Sequence, residues 1–357
     1  MALIKHKKPP YPICEELREY LVKYDRDYRL PVSYEDLLRY SNSIPLYDSK
    51  GNDTLWLTVF YAPHEMGQVY EALKKIYALL KSGGDTEVID HLTIDRVDLC
   101  VYGNTQPLRI RIVNQLNDNF DYFYIKKADA SRVYGLELEY LLSPNRISFL
   151  VDQDTLIEEH IIGIPGDQFI KENLKRDEIN EIRLAKEFIK FNERCFVRLL
   201  GDMHSSNFVV DVTPDFEEVS YRLRAIDFDQ QSYEGRRAIY LPQYFKQNNP
   251  LIKIGMKNLT PATVKQYQRE ERTLIGKRLK MERHRVKNLI DTMSRDRISR
   301  DEHVESLKKE LADFYEDKIF LSCKNMGEIL KKSLLMLIKK PDLYKEPFEN
   351  NQGLTNR

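Results

Sequence analysis

The chain has 357 residues, 42% hydrophobic and 31% charged, enough for one large globular domain or two to three smaller ones. Its 56 Lys and Arg balance 56 Asp and Glu, so net charge makes no case for nucleic acid, and four scattered cysteines (Cys14, Cys100, Cys195, Cys323) without CxxC or Cys/His spacing argue against a zinc module and for a reducing compartment. No apolar run approaches membrane-spanning length, and the basic start at Lys5, Lys7 and Lys8 meets Pro9-Pro10 rather than an apolar signal core, so a cytoplasmic protein without a membrane partner is expected.

Residues 1 to about 90 read as mostly helical and separate from the rest of the chain. Cys14 to Tyr24 and Ser33 to Tyr40 carry apolar residues at helical spacing, and Ser33 three residues before Asp36 is a cap signal. Ser49 to Asp53 reads as a loop, and Leu55 to Tyr61 as a strand or the start of a buried helix. Glu65 to Lys81 places Met66, Val69, Leu73, Ile76 and Leu79-Leu80 on one helical face and stops at Gly83-Gly84.

From about His91 the apolar period moves toward two. Leu92 to Tyr102, Pro107 to Val113 and Tyr122 to Lys127, separated by turn signals, read as an antiparallel meander. Ser131 to Leu142 is a short helix, Ile147 to Val151 and Thr155 to Ile162 are two more strands, and Gly163-Ile164-Pro165-Gly166 marks a boundary. Arg176 to Asn192 is a helix. Beyond Gly235 the chain turns helical again, punctuated by Pro242 and Pro250. Charged helices from Pro261 break near Ser299, and Met326 to Ile338 forms a final apolar helix.

The stretch from Leu199 to Gln230 concentrates the chemistry. An apolar run (Phe196, Val197, Leu199, Leu200) leads into the polar turn Gly201-Asp202-Met203-His204-Ser205-Ser206-Asn207. Phe208 to Val210 comes next, and a third run, Tyr221 to Ile226, ends in Asp227-Phe228-Asp229. If the three runs pair as neighbouring strands, two carboxylates and a carboxamide converge. A carboxylate on a tight turn can hold a hydroxyl and take its proton, while Asn and Asp oxygens suit a hard cation and leave room for phosphate oxygens. Phosphoryl transfer needs that arrangement. The plainer reading is that Asp202 and Asn207 are ordinary turn formers.

This order of elements, with GDMHSSN and IDFD, resembles the protein-kinase-like superfamily. Within it, the aminoglycoside phosphotransferase and choline-kinase branch has a catalytic loop reading roughly HGDxHxxN, with ID further along. The likeness covers roughly His91 to Gln230. It implies an α+β bilobal fold with an antiparallel β N-lobe bearing one helix and a mostly helical C-lobe, here behind a helical N-terminal extension. The expected division is 1–90, 91–163, 164–340 and a tail at 341–357.

By the same resemblance ATP and Mg²⁺ are the cofactors. Asp202 is the catalytic-loop aspartate, His204 braces the loop, and Asn207 and Asp227 hold the metal. Asp229 is a second ligand or a helix cap. Lys126, with Lys127 as its rival, holds the phosphates, and Glu137 or Glu139 orients that lysine. No G-x-G-x-x-G occurs, so Gly103 offers the one phosphate-covering turn, and Glu158-Glu159-His160 fits the segment whose backbone meets adenine, with Glu159 at its centre. Leu200 stands where the family usually has His. The long gap from Asn207 to Asp227 is explained if Asp211 to Glu218 extends a hairpin.

The expected function is therefore an ATP- and Mg²⁺-dependent phosphotransferase acting on a hydroxyl of a small molecule or protein. The alternatives are a kinase-like scaffold without turnover and a kinase-fold nucleotidyltransferase. The Lys- and Arg-rich stretch Lys265 to Arg300 suits an anionic partner, even RNA, but its interspersed Glu and Asp favour a solvated helix face, and no nucleic-acid partner is expected.

Overall fold

The alternating segments of the first half become one antiparallel sheet. A computed structural model of the chain describes residues 8–83, 89–101, 105–175, 179–214 and 219–339. It is α+β and divides into two units: residues 12–129 with 147–160, and residues 8–11 with 130–146 and 161–339.

The first unit contains helices α1 (Glu15–Lys23), α2 (Tyr34–Leu37) and α3 (Pro63–Ser82). Its strands are β1 (Asn42–Tyr47), β2 (Asp53–Phe60), β3 (Leu92–Cys100), β4 (Leu108–Asn114), β5 (Phe120–Lys127), β6 (Phe149–Asp152) and β7 (Thr155–Glu159). They pair in the order β1-β2-β3-β4-β5-β7-β6. Period-two alternation puts Leu108, Ile110 and Ile112 of β4 and Phe123 and Ile125 of β5 in one core with Leu73, Ile76 and Leu80 of α3. Each side chain so buried contributes about 1.5–3 kcal/mol. Pro63 starts α3, where its missing N–H costs nothing, and Gly83 ends it in the left-handed conformation that glycine adopts freely.

Residues 1–90, expected as a separate helical extension, instead supply β1 and β2 to this sheet. Strand β1 lies at the sheet's edge, which is where a proline such as Pro45 is tolerated within a strand. Most of its side chains are exposed, so no alternation marks it in the sequence.

The second unit contains α4 (Ala130–Leu142), α5 (Gly166–Gln168), which runs into a π-helical turn at Phe169–Asn173, and α6 (Glu181–Arg198). Strands β8 (Ile164–Pro165), β9 (Phe208–Pro214) and β10 (Val219–Ala225) form a small antiparallel sheet in the order β10-β9-β8. After them come α7 (Asn249–Asn258), α8 (Pro261–Met281), α9 (Arg283–Met293), α10 (Asp301–Tyr315) and α11 (Met326–Lys339). Helix α6 is central, with α7, α8, α11 and β10 packed on it. The β9–β10 hairpin accounts for the long gap between Asn207 and Asp227.

Two expectations are corrected here. Helix α4, placed by the sequence in an N-lobe at 91–163, packs with the helical unit. It is buried on almost every face, charged residues included, and those charges find their partners on α6, α9 and the segment after β10. Phe196 and Val197 are not a strand but the last turn of α6, extending the apolar stripe of Ala185, Phe188, Ile189 and Cys195. Only the second and third apolar runs are strands. Among the described residues no helix is long and apolar enough to cross a membrane.

Candidate functional site

The polar turn is fixed from behind by the end of α6. Leu199 takes the left-handed conformation (φ 55°) and closes the helix. Two of the carbonyls this leaves without helical donors are met by one side chain, because the Gln231 amide donates to Arg198 O (2.6 Å) and Leu199 O (3.3 Å), while Ser333 Oγ donates to Val197 O (3.1 Å). The Ser232 N–H adds a bond to Leu199 O (2.8 Å). Gly201 donates to Gln230 O (3.2 Å), and a Cβ there would stand 3.0 Å from Ile239 Cγ2 and 3.1 Å from that carbonyl. Asp202 comes next with φ 61°, a left-handed conformation that Asp and Asn tolerate better than most residues, and its N–H donates to Ile239 O (3.1 Å).

From Asp202 the chain folds back on itself. His204 N–H donates to Asp202 O (2.9 Å), and His204 Nδ1 accepts from Ser206 N–H (3.3 Å), capping the short turn Ser205–Asn207. Asn207 is the joint. Its Nδ2 donates to Asp202 O (2.8 Å), and its own carbonyl accepts from Ile226 N–H (3.0 Å), which sets Asp227 beside the turn. The buried Asn248 carboxamide ties Met203 O (2.9 Å) to Pro242 O (2.8 Å) and completes the frame.

The carboxylates of Asp227 and Asp229 meet on Arg132 of α4. Arg132 Nη1 donates to Oδ1 of each at 2.8 Å, and Nη2 donates to Ile226 O (3.3 Å). The Arg132 side chain is 2% exposed and that of Asp227 37%. Asp227 Oδ1 also accepts from the Asp229 N–H (3.0 Å). Burial, and then the nearby charges of Asp227, Glu234 and Asp229, push the Asp202 carboxyl up to about 7. Burial holds His204 below the usual imidazole range, against the opposing pull of Asp227 and Asp167. Asp202 can thus hold or release a proton near neutral pH.

A network of buried ion pairs lies behind the turn. Glu139 pairs with Arg198, whose Nε donates to Arg194 O (2.9 Å). Arg194 in turn binds Glu187 (2.6 Å) and Glu271 (3.4 Å), and Arg272 pairs with Glu193. Burial pushes the Glu139 carboxyl up, but the Arg198 charge and hydrogen bonds from Ser143 and Arg198 override it and hold the group below its ordinary value. Glu137 accepts from Arg285 Nε (2.6 Å). In the helical unit both glutamates considered as partners of a phosphate-holding lysine are therefore tied to arginines.

In the sheet unit, Lys126 and Lys127 point to opposite faces of β5. Lys126 is buried and donates to Glu158 Oε2 (2.8 Å), with Nζ 5.4 Å from the centre of the Tyr124 ring. Lys127 is exposed, 3.8 Å from Glu35. Glu159 is held by the sheet: its N–H donates to Ser148 O (3.1 Å), its Oε1 accepts from Ser148 N–H (2.8 Å), and its Oε2 lies 3.5 Å from Lys81 Nζ. Gly103 lies outside the described residues.

Arg132 and Glu234 are the neighbours of Asp227 and Asp202 that sequence reasoning missed. Arg132 left one signal, a lone arginine in the otherwise apolar start of a helix, and such a residue is rarely buried unless paired. Glu234 left none.

The donor atoms fit a divalent cation in kind. Asn207 gives its amide nitrogen to Asp202 O, which leaves its Oδ1 as the atom that could face an ion, and Asp227 could offer carboxylate oxygen. Among the described residues no three His, Cys, Asp or Glu side chains group to hold a metal ion, so an ion here would rest on a mixed Asn and Asp set completed by oxygens of its ligand.

No family model and no curated protein matches the chain. Among solved structures it is similar to one described as "Titin kinase and its flanking domains", at 15% identity and a TM-score of 0.27. The match covers 71% of this chain and 49% of the other, so the chain spans about half the length of that structure. A likeness at this level carries no weight for the site, whose chemistry rests on its own residues.

Proposed function

We propose that the chain is a kinase-like phosphotransferase that uses ATP with Mg²⁺ and acts on a hydroxyl of a small molecule or protein. One observation carries the reading: Asn207 draws Asp202 and Asp227, far apart in sequence, to one turn, by bonding the Asp202 carbonyl on one side and the residue before Asp227 on the other. In this reading Asp202 orients the acceptor hydroxyl and takes its proton. Asn207 and Asp227 hold Mg²⁺, which when bound would neutralise phosphate charge. His204 braces the turn by accepting from the Ser206 N–H.

Incubation with γ-labelled ATP and a panel of hydroxyl acceptors, the chain itself included, tests this. Wild type transfers label. Asp202→Asn loses about 10²–10⁴-fold in rate while keeping its nucleotide affinity, the signature of a lost proton acceptor. Equal rates in the two proteins overturn the assignment. A second reading, a nucleotide-binding scaffold without turnover, is favoured by the arginine that holds Asp227 and Asp229. Tight ATP binding with no transfer to any hydroxyl, water included, supports it.

A further inference from the structure

Arg132 places a full positive charge at the spot where the proposed function calls for cations. A single nitrogen, Nη1, bridges Oδ1 of Asp227 and Oδ1 of Asp229 at 2.8 Å each, and the second, Nη2, reaches Ile226 O at 3.3 Å. Two like charges this close would repel; one shared cation removes that repulsion. The guanidinium is held in place because α4 is buried on almost every face. The adjacent Ser131 Oγ donates to Gln231 O (2.6 Å), pinning the helix start to the segment that carries both aspartates.

The consequence concerns oxygen atoms. Asp227 Oδ1 already accepts from Arg132 and from the Asp229 N–H. An ion held by Asp227 would share that carboxylate with Arg132, with Asn207 Oδ1 as a further ligand from the chain. A second ion bridging Asp227 and Asp229 must displace the guanidinium and strand a buried charge, which is strongly unfavourable.

We propose that Arg132 is the resident cation of this loop, occupying the place of a second divalent ion, so that the chain takes one divalent ion with its nucleotide and not two. The proposal rests on the phosphotransferase reading. Asp229 is then a partner of Arg132 and not a metal ligand.

Titration of Mn²⁺ into the full chain with a non-hydrolysable ATP analogue, with free Mn²⁺ monitored by electron paramagnetic resonance, counts the ions. Wild type and Arg132→Lys, which keeps the charge, each take up one ion per chain. Arg132→Gln, with its fold verified by circular dichroism, takes up two. Two ions on wild type overturn the inference whether or not the variant folds, and so does a single ion on folded Arg132→Gln; both outcomes leave the phosphotransferase reading standing. A wild-type chain that binds neither Mn²⁺ nor the analogue overturns that reading and the inference with it.

Discussion

Replacing Asp202 with asparagine should make the metal-free protein more stable at neutral and alkaline pH. Its carboxyl is pushed up to about 7 in the folded chain, by burial first and by Asp227, Glu234 and Asp229 after it, against about 3.9 in an unfolded one. A raised carboxyl favours the fold fully only below the unfolded value; that contribution is lost as pH rises through the folded value. The cost is therefore absent below about pH 4, grows between about 4 and 7, and is complete above 7. At about 1.4 kcal/mol per unit the ceiling is about 4 kcal/mol, and solvent screening of a side chain at the rim of the turn reduces it to about 2 kcal/mol. Asparagine keeps the size of the side chain and accepts the left-handed backbone at φ 61°, so little else changes. Urea unfolding in EDTA from pH 4.5 to pH 8 measures the difference. Asp202→Asn is more stable at pH 8 by about 2 kcal/mol, and the gap closes toward pH 4.5. A gap that is independent of pH, or a variant less stable at pH 8, refutes the electrostatic account of this residue.

The frame around the turn sets three further outcomes. Gln231→Leu leaves Arg198 O at the end of α6 without its buried donor and lowers unfolding stability by about 1–3 kcal/mol, read by urea denaturation. Glu139→Leu strands Arg198 and costs about 3–5 kcal/mol, whereas Glu139→Leu with Arg198→Met recovers most of that loss, read by a double-mutant cycle in thermal unfolding. In Gly166→Ala the new Cβ would lie 2.5 Å from Ser205 O and 2.5 Å from Phe208 Cε2, so it displaces the turn at Asn207. That overpacking costs about 1–3 kcal/mol in stability and lowers ATP affinity, read by melting and titration calorimetry.

Much of the chain was legible because its signals are local. The Ser33–Asp36 capping box, the α3 stripe ending at Gly83, the alternation of β3, β4 and β5, and the Asp227–Asp229 segment after a strand all come from short-range spacing. The features that stayed hidden depend on partners distant in sequence. Strand β1 is an exposed edge with a proline, so neither period marks it. The final turn of α6 reads as a strand because Phe196, Val197, Leu199 and Leu200 form a nearly unbroken apolar run, and only Gln231, more than thirty residues on, shows where the helix stops. Arg132 lies about a hundred residues from the aspartates it bridges, and Glu139 about sixty from Arg198. No spacing rule connects residues so far apart.

The claim on which the functional account depends is that Asn207 and Asp227 share one metal that carries the nucleotide. Titration calorimetry of ATP into wild type and Asp227→Ala, each with Mg²⁺ and with EDTA, tests it most directly. Wild type binds ATP with Mg²⁺ and loses at least tenfold in affinity in EDTA, about 1.4 kcal/mol, while Asp227→Ala binds weakly under both conditions. ATP binding that ignores the metal in both proteins, or no binding in either, contradicts the account.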